Sequence, residues 1–261
     1  MLGPDQRRRY LRHILLKEVG AQGQQKLAAA KIVVVGAGGL GAPIIQYLAA
    51  AGIGALEIVD DDVVDVSNLQ RQVIFATDDI GASKAERAAA AARAINPDCA
   101  ATAHSARVAA DNADGLIASA DLVIEGVDNF DARFVLNRAC MVARVPLVSA
   151  AIGGYGGQVA AFAPYAGDHP CYRCLVPDAP PADVAVNCLE QGVLGPVPGI
   201  IGSMAALEAL KLILGLGEPL IGRLLIYDGL SQEARRVTVP RDPACPDCGG
   251  LGRPDDLIAA D

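Results

Sequence analysis

Lys31 to Asp62 reads KIVVVGAGGLGAPIIQYLAAAGIGALEIVDDD: an apolar run, a glycine cluster, a helical stretch, a second apolar run and a group of acids. Strand, tight turn, helix and strand in that order commit a chain to a parallel sheet with crossover helices. Gly36-x-Gly38-Gly39-x-Gly41 falls where the first strand ends and the helix opens. Glycines there let the backbone turn sharply and approach phosphate, and a helix N-terminus favours the negative charge. Asp60 closes the second strand, where a carboxylate accepts hydrogen bonds from ribose hydroxyls. The turn predicts a nucleotide site, and by itself fits NAD as well as ATP.

The alternation continues beyond this unit. Strands are predicted at 31–36, 55–60, 99–104, 121–127 and 146–151, with helices near 40–51, 83–95, 111–119 and 130–143. Ser83-Lys84-Ala85-Glu86 is a capping-box signal. An amphipathic helix is expected over 5–20, carrying RRRYLRH. After the core come a strand in GGQVAAFAP, CYRC in a loop, and a proline-rich linker, VPDAPPADVAVN. A helix near 198–214, strands at 222–228 and 234–239, and CPDC follow. The pattern predicts one α/β domain over 1–261, with a doubly wound, mainly parallel, Rossmann-like sheet and antiparallel C-terminal strands.

Composition narrows the partners. A net charge of −8 argues against nucleic acid. MLGPDQRRRY has no apolar signal-peptide core, and GIIGSMAALEALKLILGLG carries Glu208 and Lys211, so a buried helix is expected rather than a membrane span. The expected location is the cytoplasm, where paired cysteines suit metal better than disulfides. Cys171-x-x-Cys174 and Cys245-x-x-Cys248 supply four thiolates, the donor set of a closed structural Zn²⁺ site. Cys99 and Cys140 read as packing residues. Cys188, after the linker and before LEQGVLGPVPG, is either incidental or a thiol placed to accept an acyl group. With only three histidines, none spaced with another for metal, chemistry that needs a histidine base is poorly provided for.

DDDVVDVSNLQRQ separates the two nucleotides. Hydride transfer involves no phosphate chemistry, yet Asn68 and Arg71 follow the acids closely and Lys84 opens the next helix. Arg71 and Lys84 are the residue types that neutralise a triphosphate during bond cleavage, although each alone could be a solvated surface cation. Asp128 and Asn129 end the strand DLVIEGV. A carboxylate there can hold Mg²⁺ against phosphate oxygens, or simply cap the next helix.

These residues together resemble the ThiF/MoeB/HesA adenylyltransferases, bacterial relatives of ubiquitin-activating enzymes. The resemblance runs from RYLRHILL through VVGAGGLG, DDDVVDVSNLQRQ, GASKAERA, GVDNFDAR and CYRC to GVLGPVPGIIGSMAALEALKLILG, GRLLIYDGL and CPDC. It implies transfer of AMP from Mg-ATP to the C-terminal Gly-Gly carboxylate of a small ubiquitin-like sulfur carrier, with release of pyrophosphate. Thiocarboxylation for thiamin or molybdopterin synthesis would follow. It implies Gly38 and Gly39 beside the phosphates, Asp60 on the ribose with Asp62 near it, and Ser67, Asn68, Leu69, Gln70 and Arg71 along the nucleotide. Lys84 would meet the phosphates, and Asp128 with Asn129 the Mg²⁺–ATP centre. Arg12 would be supplied by the partner of a homodimer, and Cys188 would lie on a crossover loop at about 176–190 within a carrier-binding part, 152–248. No sulfurtransferase-like extension follows Cys248, so a separate sulfur donor, such as a cysteine desulfurase or rhodanese, is expected. An NAD-dependent oxidoreductase leaves SNLQRQ unexplained, and a non-catalytic carrier-binding adaptor leaves the full set of polar residues unexplained.

Overall fold

The computed structural model describes residues 2–180 and 192–250. It opens with three short helices, α1 (Pro4–Arg9), α2 (Leu11–Ile14) and α3 (Gly20–Ala29). The single helix expected over 5–20 is therefore corrected. Tyr10 interrupts it with φ −98° and ψ 15°. Its ring turns inward, and Asn96 Nδ2 donates to its hydroxyl at 2.8 Å. Burying one aromatic ring outweighs the few tenths of a kcal/mol by which ordinary residues differ in helix propensity. Helix α3 has no counterpart among the predicted elements, because its glycines lower helix propensity. Gly23 is there for packing: a Cβ on it would lie 2.9 Å from Val19 and 3.1 Å from Leu214.

The predicted alternation then holds: β1 (Lys31–Val35), α4 (Gly41–Ala51), β2 (Ala55–Val59), α5 (Lys84–Ile95), β3 (Ala100–His104), α6 (Ala113–Ile117), β4 (Leu122–Glu125) and α7 (Phe130–Ala143). β5 (Leu147–Gly153) and β6 (Gly156–Phe162) form a hairpin. A short helix, α8 (Tyr172–Leu175), takes the place of the loop expected at CYRC. The long helix α9 (Pro196–Leu214) and the hairpin β7 (Arg223–Asp228) and β8 (Glu233–Thr238) follow.

Eight strands form one sheet in the order β3-β2-β1-β4-β5-β6-β7-β8. The first five run parallel and the last three antiparallel. Side chains alternate strictly across it. Ile32, Val34, Leu56, Ile58, Leu122 and Ile124 pack beneath α4, α5 and α9, while Val33, Val35, Val59 and Val123 pack beneath α6 and α7. Burial on both faces explains why these strands read as unbroken apolar runs. Among the described residues, α9 is the one helix long and apolar enough to cross a membrane, with a mean hydropathy of 1.6. It packs on α4, β5 and β6, and its buried Glu208 accepts from Lys211 Nζ at 2.6 Å and from Leu220 N at 2.5 Å.

The chain leaves β1 towards β2 and β3, then returns to place β4 on the other side of β1. That reversal opens a crevice at the carboxyl ends of β1 and β4, where ligands bind in open parallel sheets.

Candidate nucleotide site and four-cysteine cluster

The glycine turn sits at this crevice. A Cβ on Gly41 would lie 1.9 Å from the carbonyl oxygen of Gly36, so no other residue fits without opening the turn. Gly39 faces Pro198 and Arg71: a Cβ on it would approach them at 3.3 and 3.6 Å. The turn is pinned to β2 by Asp60, whose Oδ2 accepts from Ala37 N at 2.7 Å while Oδ1 accepts from Asp62 N at 2.9 Å. Burial pushes the Asp60 carboxyl up, opposed by those two amides and by Lys84 nearby. Each carboxylate oxygen keeps a lone pair for a further donor.

SNLQRQ forms a 3₁₀ turn beside the glycines. Asp65 caps it by accepting from Ser67 N at 2.8 Å, and Asn68 Oδ1 accepts from Asp65 N at 3.1 Å. Asn68 is buried, Leu69 half-buried, and Ser67 and Gln70 exposed. Arg71 Nη1 donates to the Ser67 carbonyl at 2.9 Å, which holds its side chain along the turn. The Lys84 ammonium, only 7% exposed, pairs at 2.8 Å with Asp62, which is 69% exposed.

Of the two residues after β4, it is Asn129 that caps α7: its Oδ1 accepts from Ala132 N at 2.9 Å. Asp128 is thereby released from the capping role, and its exposed carboxylate makes no hydrogen bond to a described residue. Behind it lies a pair absent from the sequence reading. Glu125, with no exposed surface, accepts from Ser149 Oγ and from Val127 N at 3.2 Å, and pairs with Arg133 at 3.3 Å. Arg133 Nη2 also donates to the carbonyls of Val127 and Ala150 at 2.6 and 3.0 Å. Burial pushes the Glu125 carboxyl up, and Arg133 opposes it. This cluster fixes the backbone that presents Asp128. The available signal was an acid inside an apolar strand run, since a buried charge requires a partner.

Arg12 is exposed on α2. Its neighbours in sequence, Tyr10 and His13, meet Gly52, Asn96 and Gln24. That is the far end of α4, roughly 16 Å along the helix from the glycine turn at 1.5 Å per residue. Arg12 thus does not reach the site of its own chain. Cys188 lies outside the described residues.

Cys171, Cys174, Cys245 and Cys248 converge, all four sulfurs lying within 4.8 Å of one another. The Cys171–Cys245 and Cys174–Cys248 sulfurs are 3.6 and 3.4 Å apart. A tetrahedron with metal–sulfur bonds of 2.3 Å has edges of about 3.8 Å, so the donor set fits a tetrahedral metal ion. Asp247, almost fully buried, moors the second knuckle to α7 by accepting from Asn137 Nδ2 at 3.0 Å and Arg138 Nε at 2.8 Å. Asn137 Oδ1 moors the first by accepting from Tyr172 N at 2.8 Å. Cys99 and Cys140 are buried packing residues, their thiols pushed up by burial to about 11 and about 12.

Fold and site define a doubly wound α/β protein with a glycine-turn crevice and a four-cysteine cluster that could hold a metal ion. The chain belongs to the ThiF family, which it matches over residues 10–247. It is 49% identical over 244 residues to the SAMP-activating enzyme E1 of Haloferax volcanii, covering 94% of this chain and 89% of that protein. It is 46% identical over 244 residues to the sulfur carrier protein adenylyltransferase of Thermus thermophilus, covering 92% and 90%. The mouse adenylyltransferase and sulfurtransferase MOCS3 is 45% identical over 249 residues, covering 95% of this chain and 54% of that enzyme. In fold the chain is similar to Escherichia coli MccB solved with MccA-N7isoASN, with a TM-score of 0.80, 23% identity and coverage of 94% and 75%.

Proposed function

We propose that this protein adenylates the C-terminal Gly-Gly carboxylate of a small ubiquitin-like sulfur carrier, with Mg-ATP as co-substrate. The observation that carries this reading is the convergence of Gly39, Arg71, Asp60 and Lys84 on the crevice, beside an Asp128 carboxylate left unpaired. The similarity to the Haloferax SAMP-activating enzyme and the Thermus sulfur carrier protein adenylyltransferase supports it. The carrier's carboxylate oxygen attacks the α-phosphorus, the bond to the pyrophosphate oxygen breaks, and its electron pair leaves with pyrophosphate. No general base is needed, because a carboxyl group is already ionised at neutral pH. The obstacle is an anion approaching a polyanion. Arg71 and Lys84 would offset that repulsion and receive the charge moving onto pyrophosphate, while Asp128, presented beside the Asn129 cap of α7, would hold the Mg²⁺. A sulfur nucleophile supplied by a cysteine desulfurase or rhodanese then attacks the acyl carbon of the acyl-adenylate, and AMP leaves. The four thiolates hold one structural Zn²⁺.

Two measurements test the reading. At 100 times its Kd, Mg-ATP stabilises by about 2.7 kcal/mol, or roughly 5–10 °C for a chain of this size, and NAD does not. Incubation with ATP and Gly-Gly-ended carriers yields an adenylated carrier by mass spectrometry. Protection by NAD alone, or ATP binding with no adduct on any carrier, overturns it.

The active form is a homodimer. Leu11, Leu15 and Leu16 are each half or more exposed, and so are Tyr47 and Leu207, which with His13 line a cavity of about 300 Å³. Large apolar side chains left exposed on and after α2 and at the cavity between α4 and α9 favour an interface. Arg12 is exposed on the same helix as Leu11, far from its own crevice. Arg12→Ala and Asp128→Ala chains, each inactive alone, are expected to regain roughly a quarter of wild-type exchange when co-expressed, because half of the random dimers carry one complete site. No recovery means that Arg12 does not act across the dimer.

A further inference from the structure

Tyr172 follows the first cysteine of its knuckle and is 3% exposed, yet the nucleotide site as described does not use it. Its ring stands edge-on to Phe134 and Phe162, with centroids 5.8 Å apart in both pairs. A charged group meets it too: the guanidinium carbon of Arg133 lies 5.8 Å from the ring centroid, within the range of a cation–π contact. Arg133 and Asn137 stand one turn apart on α7. The helix therefore meets the ring of Tyr172 through one and accepts its N–H through the other, at 2.8 Å.

From Arg133 the contacts run on to the crevice. Its Nη2 donates to the Val127 carbonyl at 2.6 Å, and its partner Glu125 accepts from Val127 N at 3.2 Å. One ion pair therefore holds both peptide groups of the residue before Asp128. Stability alone does not call for it, because a buried ion pair is commonly no better than well-packed apolar side chains of similar volume. Placement does: a group displaced by about 1 Å at a reacting centre can cost on the order of 10² in rate. The fork that reaches Glu125 and the carbonyls of Val127 and Ala150 is planar, and a ring packed against it restricts its tilt.

We infer that Tyr172 is a positioning residue for Asp128: packed on Arg133, it keeps the guanidinium on the Val127 carbonyl and so ties the carboxylate at the crevice to the cysteine cluster. The inference rests on the adenylation reading above, in which Asp128 holds Mg²⁺, and gives the cluster a task in that site besides joining distant parts of the chain. Tyr172 acts through Arg133 and needs no contact with the nucleotide.

The test is calorimetric titration of the full, metal-loaded chain with Mg-ATP and with ATP free of Mg²⁺. Tyr172→Leu keeps an apolar side chain but loses the aromatic face. It is expected to weaken Mg-ATP about tenfold, within the span of a cation–π contact on a desolvated group. Its affinity for Mg²⁺-free ATP stays within about twofold, a split that a general loosening of the fold would not give. Tyr172→Phe keeps the face and matches wild type. In the Asp128→Ala background Tyr172→Leu has no further effect on Mg-ATP, because the carboxylate it positions is gone. Arg133→Lys keeps the charge beside Glu125 but not the fork, and reproduces the tenfold loss; it decides the matter should Tyr172→Leu fail to fold or lose its metal. In wild-type protein, below the Tm of the metal-stripped chain, chelation moves the assigned backbone amide resonance of Asp128; this readout needs no variant to fold. Unchanged Mg-ATP affinity in a folded variant, an equal loss for Mg²⁺-free ATP, or a full second loss in the Asp128→Ala background overturns the inference. So does a Phe variant as weak as Leu, or an Asp128 amide that does not shift. A wild-type chain that binds Mg-ATP no better than Mg²⁺-free ATP overturns instead the reading on which it rests.

Discussion

Asp128→Ala is expected to cut carrier-dependent exchange of pyrophosphate into ATP by at least about 10²–10³-fold, the loss that follows removal of one preorganised electrostatic partner in other active sites. The fold should survive. Asp128 is exposed and unpaired, while the adjacent Asn129 caps α7. Substitutions at such positions change stability by about 0.5 kcal/mol or less. Thermal unfolding and circular dichroism of the variant should therefore match wild type while exchange disappears. Near-normal exchange removes Asp128 from the mechanism.

The second large effect concerns the cysteines. The protein is expected to carry about one Zn²⁺ per chain by elemental analysis, as one closed tetrahedral site requires. Cys248→Ser, or exhaustive chelation, should remove it. The Tm should then fall on the order of 10 °C, since metal binding that exists only in the folded state is folding free energy. The sequence separation of the two knuckles makes the loss large, because residues 171–174 and 245–248 are then joined only by polar contacts such as those of Asp247 and Asn137 at α7 and the Arg173–Asp247 pair at 3.6 Å. Metal-free protein with unchanged Tm would defeat the four-thiolate assignment.

The parallel half of the sheet was legible because its physics is local. Strands buried on both faces must be apolar throughout, as KIVVV and LVIE are, and glycine must stand where Gly41 meets the carbonyl of Gly36. The cysteine pairs were legible because two knuckles have few other uses. What escaped depended on contacts distant in sequence. Tyr10 ends a helix because Asn96 and Gly52 wait for its ring, and Gly23 lies in a helix because Leu214 approaches it. Which of Asp128 and Asn129 caps α7 is decided by one residue of register. Glu125 and Arg133 could be paired only once β4, β5 and α7 were stacked.

The hairpin from β5 to β6 is paired over seven residues, from Leu147 with Phe162 to Gly153 with Gly156, so the antiparallel strands are continuous with those that end at the crevice. Such a joint has no slack. If the proposed carrier docks on the outer strands, it would be held at a fixed offset from Asp128, and the reach of its tail would decide whether the terminal carboxylate arrives.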